Sequence, residues 1–187
     1  MYLLNKKNFY LFYILTYSFI LFLISFLSYK IEENIFKENA FHKLSFSINS
    51  IIAIFIPIIL FSFFLISSKI ISSLLEIPFK KEKMRIVIGS SFVYPIFTTL
   101  IYLINLFYIV NNYNILTIEE FKLAKGILTV TMEDLSFIGY IGWGAFFLSY
   151  IFSLKEEGIS LINSFIIAVI PSLLFYSIVF IIKQYLI

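Results

Sequence analysis

Long apolar runs alternate with short charged segments along the whole chain. Five runs have the roughly 17–25 residues that a bilayer crossing requires, namely 8–29, 44–68, 86–110, 135–154 and 160–182. These runs contain no Asp, Glu, Lys, Arg or His, and they lack the alternation of a barrel strand. Because backbone groups in lipid must hydrogen-bond internally, the pattern predicts an all-α, polytopic integral membrane protein. We expect one membrane domain, residues 1–187, built as a bundle of five transmembrane helices with short loops.

Composition strengthens this prediction. The chain is 61% hydrophobic and only 13% charged, whereas a soluble domain carries roughly 25% charged residues. The absence of cysteine excludes disulfides, Cys-ligated zinc and thiol catalysis. A net charge of +3 is too small to indicate a nucleic-acid partner. The first partner that we expect is therefore the lipid bilayer.

The first apolar run also has features of a secretory signal peptide, since Lys6 and Lys7 precede it. The run is longer than the usual apolar region of 7–15 residues, and no A-x-A cleavage site follows it. We therefore expect it to be a retained transmembrane helix.

The distribution of basic residues predicts the orientation in the membrane. The side with the N-terminus and the loops 69–85 and 155–159 holds eight of the 14 basic residues: Lys6, Lys7, Lys69, Lys80, Lys81, Lys83, Arg85 and Lys155. The other side holds Lys30, Lys37, Lys43, Lys122, Lys125 and Lys183. Basic residues favour the cytoplasmic side, and the dense 80–85 cluster decides between these similar totals. We predict a multi-pass protein of the cell membrane with a cytoplasmic N-terminus and an external C-terminus.

The segment EIPFKKEKMRIVIGSSFVYP, residues 76–95, carries that basic cluster. Lys80, Lys81, Lys83 and Arg85 serve first as an anchor that orients the protein. They are also candidate contacts for anionic lipid headgroups, worth about 1 kcal/mol per basic residue, or for a cytoplasmic partner. The anchor is the interpretation that the pattern favours.

Two predicted outer loops contain sequence patterns that are typical of helices. Residues 30–43 are charged, but they place Ile31, Ile35 and Phe36 at helical intervals. Residues 117–132 open with Thr117-x-x-Glu120, a capping-box pattern, and then carry apolar residues on one helical face. This pattern predicts a short interfacial helix over 117–132, although Gly126 weakens it. Whether this segment is a lid, a partner contact or a plain connector stays open.

The predicted spans offer no catalytic grouping. An ionisable residue inside a membrane is normally a functional hypothesis, and none is present. The chain lacks H-E-x-x-H, G-x-S-x-G and a phosphate-binding glycine loop. The one histidine, His42, lies at a predicted membrane edge, where an interfacial side chain is the simpler interpretation. We therefore expect no enzyme activity, no catalytic residues, no metal and no cofactor.

Proline and small residues mark candidate kinks and packing sites. Pro57, Pro95 and Pro171 lie inside the second, third and fifth runs, where proline kinks a helix or curves it. The fourth run carries most of the small residues: Gly139, Gly142, Gly144, Ala145 and Ser149. Small residues let helix backbones approach closely, so we expect this helix to pack tightly in the bundle or against another subunit. Trp143 lies near mid-span, where it is expected to fill a gap between helices.

Two stretches together carry a family resemblance: LLEIPFKKEKMRIVIGSSFVYPIFTTL and MEDLSFIGYIGWGAFFLSYIFSLKEEGISLINSFIIAVIPSLLF. The positions that carry it are Phe79, Pro95, Asp134-Leu135, Trp143, Gly158 and Pro171. The chain resembles the YIP (Ypt/Rab-interacting-protein) family in its compact prokaryotic form, over roughly residues 45–182. The resemblance implies a five-helix bundle with a cytoplasmic N-terminus, which the distribution of charge predicts independently.

The same resemblance suggests functions. Eukaryotic members carry a long cytosolic N-terminal region and act with small GTPases in vesicle trafficking, but only about seven residues precede the first span here. Some bacterial members are encoded with ABC-type exporters of toxic peptides and assist their assembly. The first hypothesis is therefore a non-enzymatic membrane subunit or assembly factor, accessory to an ABC-type peptide or toxin exporter and its permease. A homo-oligomer is also compatible with the sequence.

Two other functions stay open. One is a stand-alone immunity or resistance protein against a membrane-active peptide. The other is a passive channel or facilitator with a polar path built from Ser47, Asn49, Ser50 and Asn105.

Overall fold

The computed structural model describes residues 9–36, 40–78 and 80–186, without the side chains of 40–42, 175, 176 and 178–186. These ranges contain seven helices: α1 (Phe9–Phe36), α2 (Ala40–Leu74), α3 (Lys81–Ser91), α4 (Val93–Asn112), α5 (Ile118–Leu123), α6 (Met132–Glu156) and α7 (Leu161–Leu186). In the described part of the chain the only β-type pairing is an isolated bridge between Lys125 and Thr131. The all-helical class is confirmed.

Within the described residues, four segments are long and apolar enough to cross a membrane: Phe9–Phe36, Lys43–Leu74, Lys81–Asn112 and Met132–Glu156. They coincide with the first four predicted spans. The fifth predicted span falls on α7, which contributes the shorter apolar stretch Leu161–Leu174 within the residues described in full.

The predicted loop at 30–43 is wrong over most of its length. α1 continues to Phe36 and α2 begins at Ala40, while residues 37–39 lie outside the described residues. The extension follows from the helical spacing of apolar residues, since Ile31 is buried in a hydrophobic cluster with Ile115 and Met132, and Ile35 packs against that cluster. Burial of this apolar stripe stabilises the extra helical turns.

The third predicted span is two helices, with a break at Phe92. Pro95 has no N–H to donate to the carbonyl of Ser91, and the N–H of Phe92 turns back to the Gly89 carbonyl at 3.2 Å. Pro57 and Pro171, in contrast, lie inside the uninterrupted helices α2 and α7. Of the three prolines, Pro95 alone accompanies an interruption of the helix.

The predicted interfacial helix over 117–132 is also wrong in extent. The Thr117 hydroxyl accepts from the N–H of Glu120 at 3.1 Å, as the capping pattern predicts, but α5 ends at Leu123. Ala124 is extended and Thr129 has a φ of 57°. The chain leaves the helix because residues 124–131 form tertiary contacts described below, and Thr131 then caps the start of α6.

The helices form a closed ring with α3 on the inside. α1 packs against α2 and α4, α6 packs against α4 and α7, and α7 packs against α2, so the ring runs α1, α2, α7, α6, α4. α3 contacts α1, α2 and α6, which lie on different sides of the ring. Val87, Ile88, Gly89 and Ser91 of α3 are buried accordingly.

The bundle has two ends, each with its own core. At one end, called the basic end, Lys83 pairs with Glu157 and so joins the α2–α3 turn to the α6–α7 turn. Its core is rich in aromatic residues, including Phe92, Phe146 and Tyr150. At the other, called the loop end, residues 113–131 close over the second core. The loops predicted for one side of the membrane thus lie together at one end of the bundle, and those predicted for the other side lie at the opposite end.

Candidate interaction site at the basic end

The start of α3 divides the basic cluster between two grooves. Residues four apart share a helical face, so Lys81 and Arg85 line one groove together, while Lys80 and Lys83 line the other. The sequence-predicted site residues are therefore not one patch. Each groove has a different charge balance and different walls.

The first groove, called the paired groove, lies between the α2–α3 turn and the α6–α7 turn. It has a volume of about 290 Å³. Its charged residues balance one another, since Lys80 and Lys83 stand with Glu76 and Glu157. The Lys83 ammonium donates to the Glu157 carboxylate, and Met84 lies among the apolar lining residues. This groove leaves little net charge for a ligand.

Both turns beside the paired groove follow the Schellman pattern. After α2, the N–H of Ile77 donates to the Ser72 carbonyl at 2.9 Å, and Glu76 holds the left-handed position with a φ of 56°. After α6, the N–H of Ile159 donates to the Leu154 carbonyl at 3.2 Å, and Gly158 has a φ of 89°. The same geometry thus uses glycine in one turn and glutamate in the other.

The second groove, called the basic groove, lies between α2 and α3. It has a volume of about 500 Å³ and is lined by Ser62, Leu65, Ile66, Lys69, Lys81 and Arg85. Three of these six residues are cations, supplied by two helices, and the lining as described contains no acid. Lys69 lies on the same α2 face as Leu65 and Ile66 because these residues are three and four positions apart.

Arg85 is held against the wall of the basic groove by an aromatic ring. Its guanidinium carbon lies 5.9 Å from the ring centroid of Tyr10, within cation–π range. The Tyr10 ring in turn stacks on Phe61 of α2, with centroids 5.3 Å apart. Three helices therefore fix the position of this one cation.

Gly89 allows α1 to come this close to α3. A Cβ atom at Gly89 would overlap the side chain of Tyr10 and lie 2.9 Å from its Cα. Because the obstacle includes backbone, α1 itself would have to move. The absence of a side chain at Gly89 thus places Tyr10 beneath Arg85, one helical turn away.

The small residues of α6 do not act as one group. Gly142 is buried, and a Cβ atom there would overlap the Thr98 side chain of α4. Gly139 and Gly144, however, have no atom within 4 Å of such a Cβ. Within the chain, close packing therefore holds for Gly142 and not for these two glycines, and packing of this helix against another subunit stays a prediction.

The remaining predicted packing residues lie between helices. Trp143 of α6 makes edge contacts with Tyr17 of α1 and Phe92, at centroid distances of 6.5 and 6.1 Å. Ser149 lies 3.4 Å from Ser91, hydroxyl to hydroxyl, and Ala145 is half-buried. These side chains join α6 to its neighbours in the same chain.

An exposed apolar stripe runs along the outer face of α6. Gly144 lies on this face, which also carries Phe137, Ile141, Leu148 and Phe152 at helical spacing, all more than half exposed. A glycine between large side chains leaves a notch in the stripe. Such a notch allows a second helix to approach closely.

At the loop end, Asn105 serves a structural contact. Its Nδ2 donates to the Ile101 carbonyl at 2.8 Å, and its Oδ1 accepts from the N–H of Leu128 at 3.2 Å. Gly126 leaves room for the Asn105 amide. A buried amide with both ends bonded holds residues 124–131 against α4.

The four residues of the predicted polar path are not brought together. Asn49 lines a cleft between α1 and α2 with Ser25 and Ser28, and Ser50 lies 3.4 Å from Ser25. The Ser47 hydroxyl returns to the Lys43 carbonyl. Asn105, on α4, instead forms its hydrogen bond with Leu128 at the loop end.

Elsewhere in the described residues, few side chains could bind a metal or take part in a reaction. No group of three His, Cys, Asp or Glu side chains there could hold a metal ion. The buried Tyr150 hydroxyl bonds to Ser68 at 2.5 Å and lies 3.5 Å from the Met84 sulfur. The side chain of His42, and Phe79 altogether, lie outside the described residues.

Sequence reasoning missed Lys69 as a residue of the basic groove, and it missed the contact between Tyr10 and Arg85. The sequence indicated Lys69 only as a charge that helps to set the topology, and Tyr10 only as an aromatic residue near the end of a span, where such residues are typical of the membrane interface. Their partners, Lys81 and Arg85, lie on another helix, so no local spacing indicates the contact. A cation one turn inside the end of an apolar helix was the one available signal for Lys69.

In comparisons with known proteins, no family model, curated protein or solved structure matches this chain.

Proposed function

We propose that this chain is a five-span protein of the cell membrane, with α7 as the fifth span. Its basic end faces the cytoplasm, so that the N-terminus is cytoplasmic and the C-terminus external. The support is the excess of Lys and Arg at the basic end, which favours the cytoplasmic side. The resemblance to the YIP family points to the same orientation.

We further propose that the protein is a non-enzymatic subunit or assembly factor, accessory to an ABC-type exporter of a peptide or toxin. The observation that carries this proposal is the notched stripe on α6, where Gly144 lies between large exposed apolar side chains. Helices associate in lipid chiefly by close packing at small residues. A permease helix packed at Gly144 is the partner that this surface suits.

The test is purification of the tagged protein at its native level in mild detergent, followed by mass spectrometry. We expect a transporter ATPase and its permease to accompany the unaltered chain. Gly144→Leu should abolish their recovery, because the new side chain fills the notch, and its Cβ atom has no other atom of the chain within 4 Å. Gly139→Leu is the matched control, since a Cβ atom at Gly139 likewise has no neighbour within 4 Å, but Gly139 lies on another face of the same helix.

Equal recovery with both leucine variants would exclude the α6 notch as the contact. Recovery of the unaltered chain alone, or only with itself, would contradict the accessory function. It would favour the immunity protein or the passive facilitator.

A further inference from the structure

The basic groove combines three features that distinguish it from an ordinary positive surface. Its cations come from two helices, with Lys69 on α2 and both Lys81 and Arg85 on α3. Its described lining contains no acid. Arg85 is fixed in place by the Tyr10 ring, so part of the ordering cost of binding is already met.

The position of the groove along α2 indicates whether its ligand comes from the lipid bilayer or from water. Lys69 is flanked along α2 by apolar side chains that are largely exposed: Ile66 at 59%, Ile70 at 56% and Leu74 at 78%. Apolar residues exposed as far as the helix end suit lipid and not water. Lys69 therefore lies within the apolar belt, about 7–8 Å from the end of α2 at 1.5 Å per residue, where a lysine extends towards the headgroups.

The walls of the groove match the same chemistry. Leu65 and Ile66 offer an apolar surface beside the cations, as the junction of a lipid headgroup and its acyl chains requires. The first turn of α3, at Lys81, adds the partial positive charge of a helix N-terminus. A phosphate carrying two acyl chains meets all of these features at once, whereas a soluble anion would use only the charges.

We propose that the basic groove is a binding site for the phosphate headgroup of one anionic phospholipid, held by Lys69, Lys81 and Arg85. The site is independent of the exporter partnership, since it lies between α2 and α3, away from the α6 notch. Lys83 takes no part because it is paired with Glu157.

The test measures binding of phosphatidylglycerol and phosphatidylcholine to the full chain in detergent by native mass spectrometry. We expect one phosphatidylglycerol to bind before any phosphatidylcholine. Lys69→Gln combined with Lys81→Gln should weaken that binding roughly 30-fold, or about 2 kcal/mol for two cations. Both side chains are exposed, so this variant should fold normally.

The matched control is Lys80→Gln combined with Lys155→Gln. It removes the same charge, by the same substitution, at the same end of the bundle, and should leave phosphatidylglycerol binding close to that of the unaltered chain. An equal loss in both variants would mean diffuse attraction to a basic surface and would overturn the proposal. A lack of preference between the two lipids in the unaltered chain would also overturn it.

Competition with soluble glycerol phosphate distinguishes a lipid headgroup from a free phosphate ester as the bound anion. We expect it to leave the bound lipid in place, because it lacks the acyl chains that contact the groove walls. Displacement of the lipid by millimolar glycerol phosphate would identify a site for free phosphate esters and would overturn the assignment to a lipid.

Discussion

The two grooves on either side of α3 draw on one short basic segment, yet they differ in available charge. In the paired groove, Lys80 and Lys83 stand beside Glu76 and Glu157. In the basic groove, Lys69, Lys81 and Arg85 line the cavity without an acid in the described lining. Neighbouring lysines thus have different electrostatic surroundings, because helical periodicity turns consecutive residues towards different helices. Counting charges along the chain cannot reveal this difference.

The two grooves also differ in how their walls are built. The paired groove rests on two turns of the same type, and small changes in backbone conformation would alter it. The basic groove rests on the close approach of α1 and α3 at Gly89. Substitutions at the helix contact behind the basic groove are therefore expected to have larger effects than substitutions at the paired groove.

The largest effect is expected from Gly89→Leu, which should separate α1 from α3 and move the Tyr10 ring away from Arg85. Overpacking against backbone should lower the free energy of unfolding by about 3 kcal/mol. Chemical unfolding in detergent measures this effect. Gly144→Leu serves as the control because a Cβ atom at Gly144 has no neighbour within 4 Å. Equal stability of the two variants would show that α1 and α3 are not in close contact.

A middle-sized effect is expected at the turns of the paired groove. Gly158→Ala should cost about 1 kcal/mol, because an L-residue is strained in the left-handed conformation, while the new methyl group meets no atom within 4 Å. Glu76→Gly should relieve the same strain and stabilise the chain. The gain should be smaller than about 1 kcal/mol, because glycine also raises the conformational entropy of the unfolded chain. The midpoint of thermal unfolding measures both changes. Shifts of the same sign would contradict the shared turn geometry.

The smallest effect is expected from the ion pair of the paired groove. The Lys83 side chain is 51% exposed and that of Glu157 is 33% exposed, so a double-mutant cycle with Lys83→Gln and Glu157→Gln should give a coupling below about 1 kcal/mol. Added salt should reduce it further. A coupling that is both larger and insensitive to salt would mean that the pair is shielded from water and that the paired groove is closed.

Much of the architecture could be predicted from local pattern. The all-helical class, the four long apolar helices, the Thr117 cap and the grouping of loops at two ends all follow from residues close together in sequence. The errors arose where contacts between residues far apart in sequence set the end of a helix. Burial of Ile31 extends α1, and the bond from Leu128 to Asn105 ends α5 after six residues. The two partners of such contacts are far apart in sequence, so spacing along the chain carries no sign of them.

The sequence by itself determined that this chain contains long apolar helices, roughly which part of the chain each occupies, and which basic residues gather at one end. Only the tertiary structure decided that α3 lies inside the ring, that Gly142 is packed while Gly144 is open, and that Lys69 joins Lys81 and Arg85. The physical reason is that apolar residues surround these helices on nearly every side. A helix without a polar face does not indicate its neighbours, so side-chain packing across the bundle sets the order of the helices and the faces that they share.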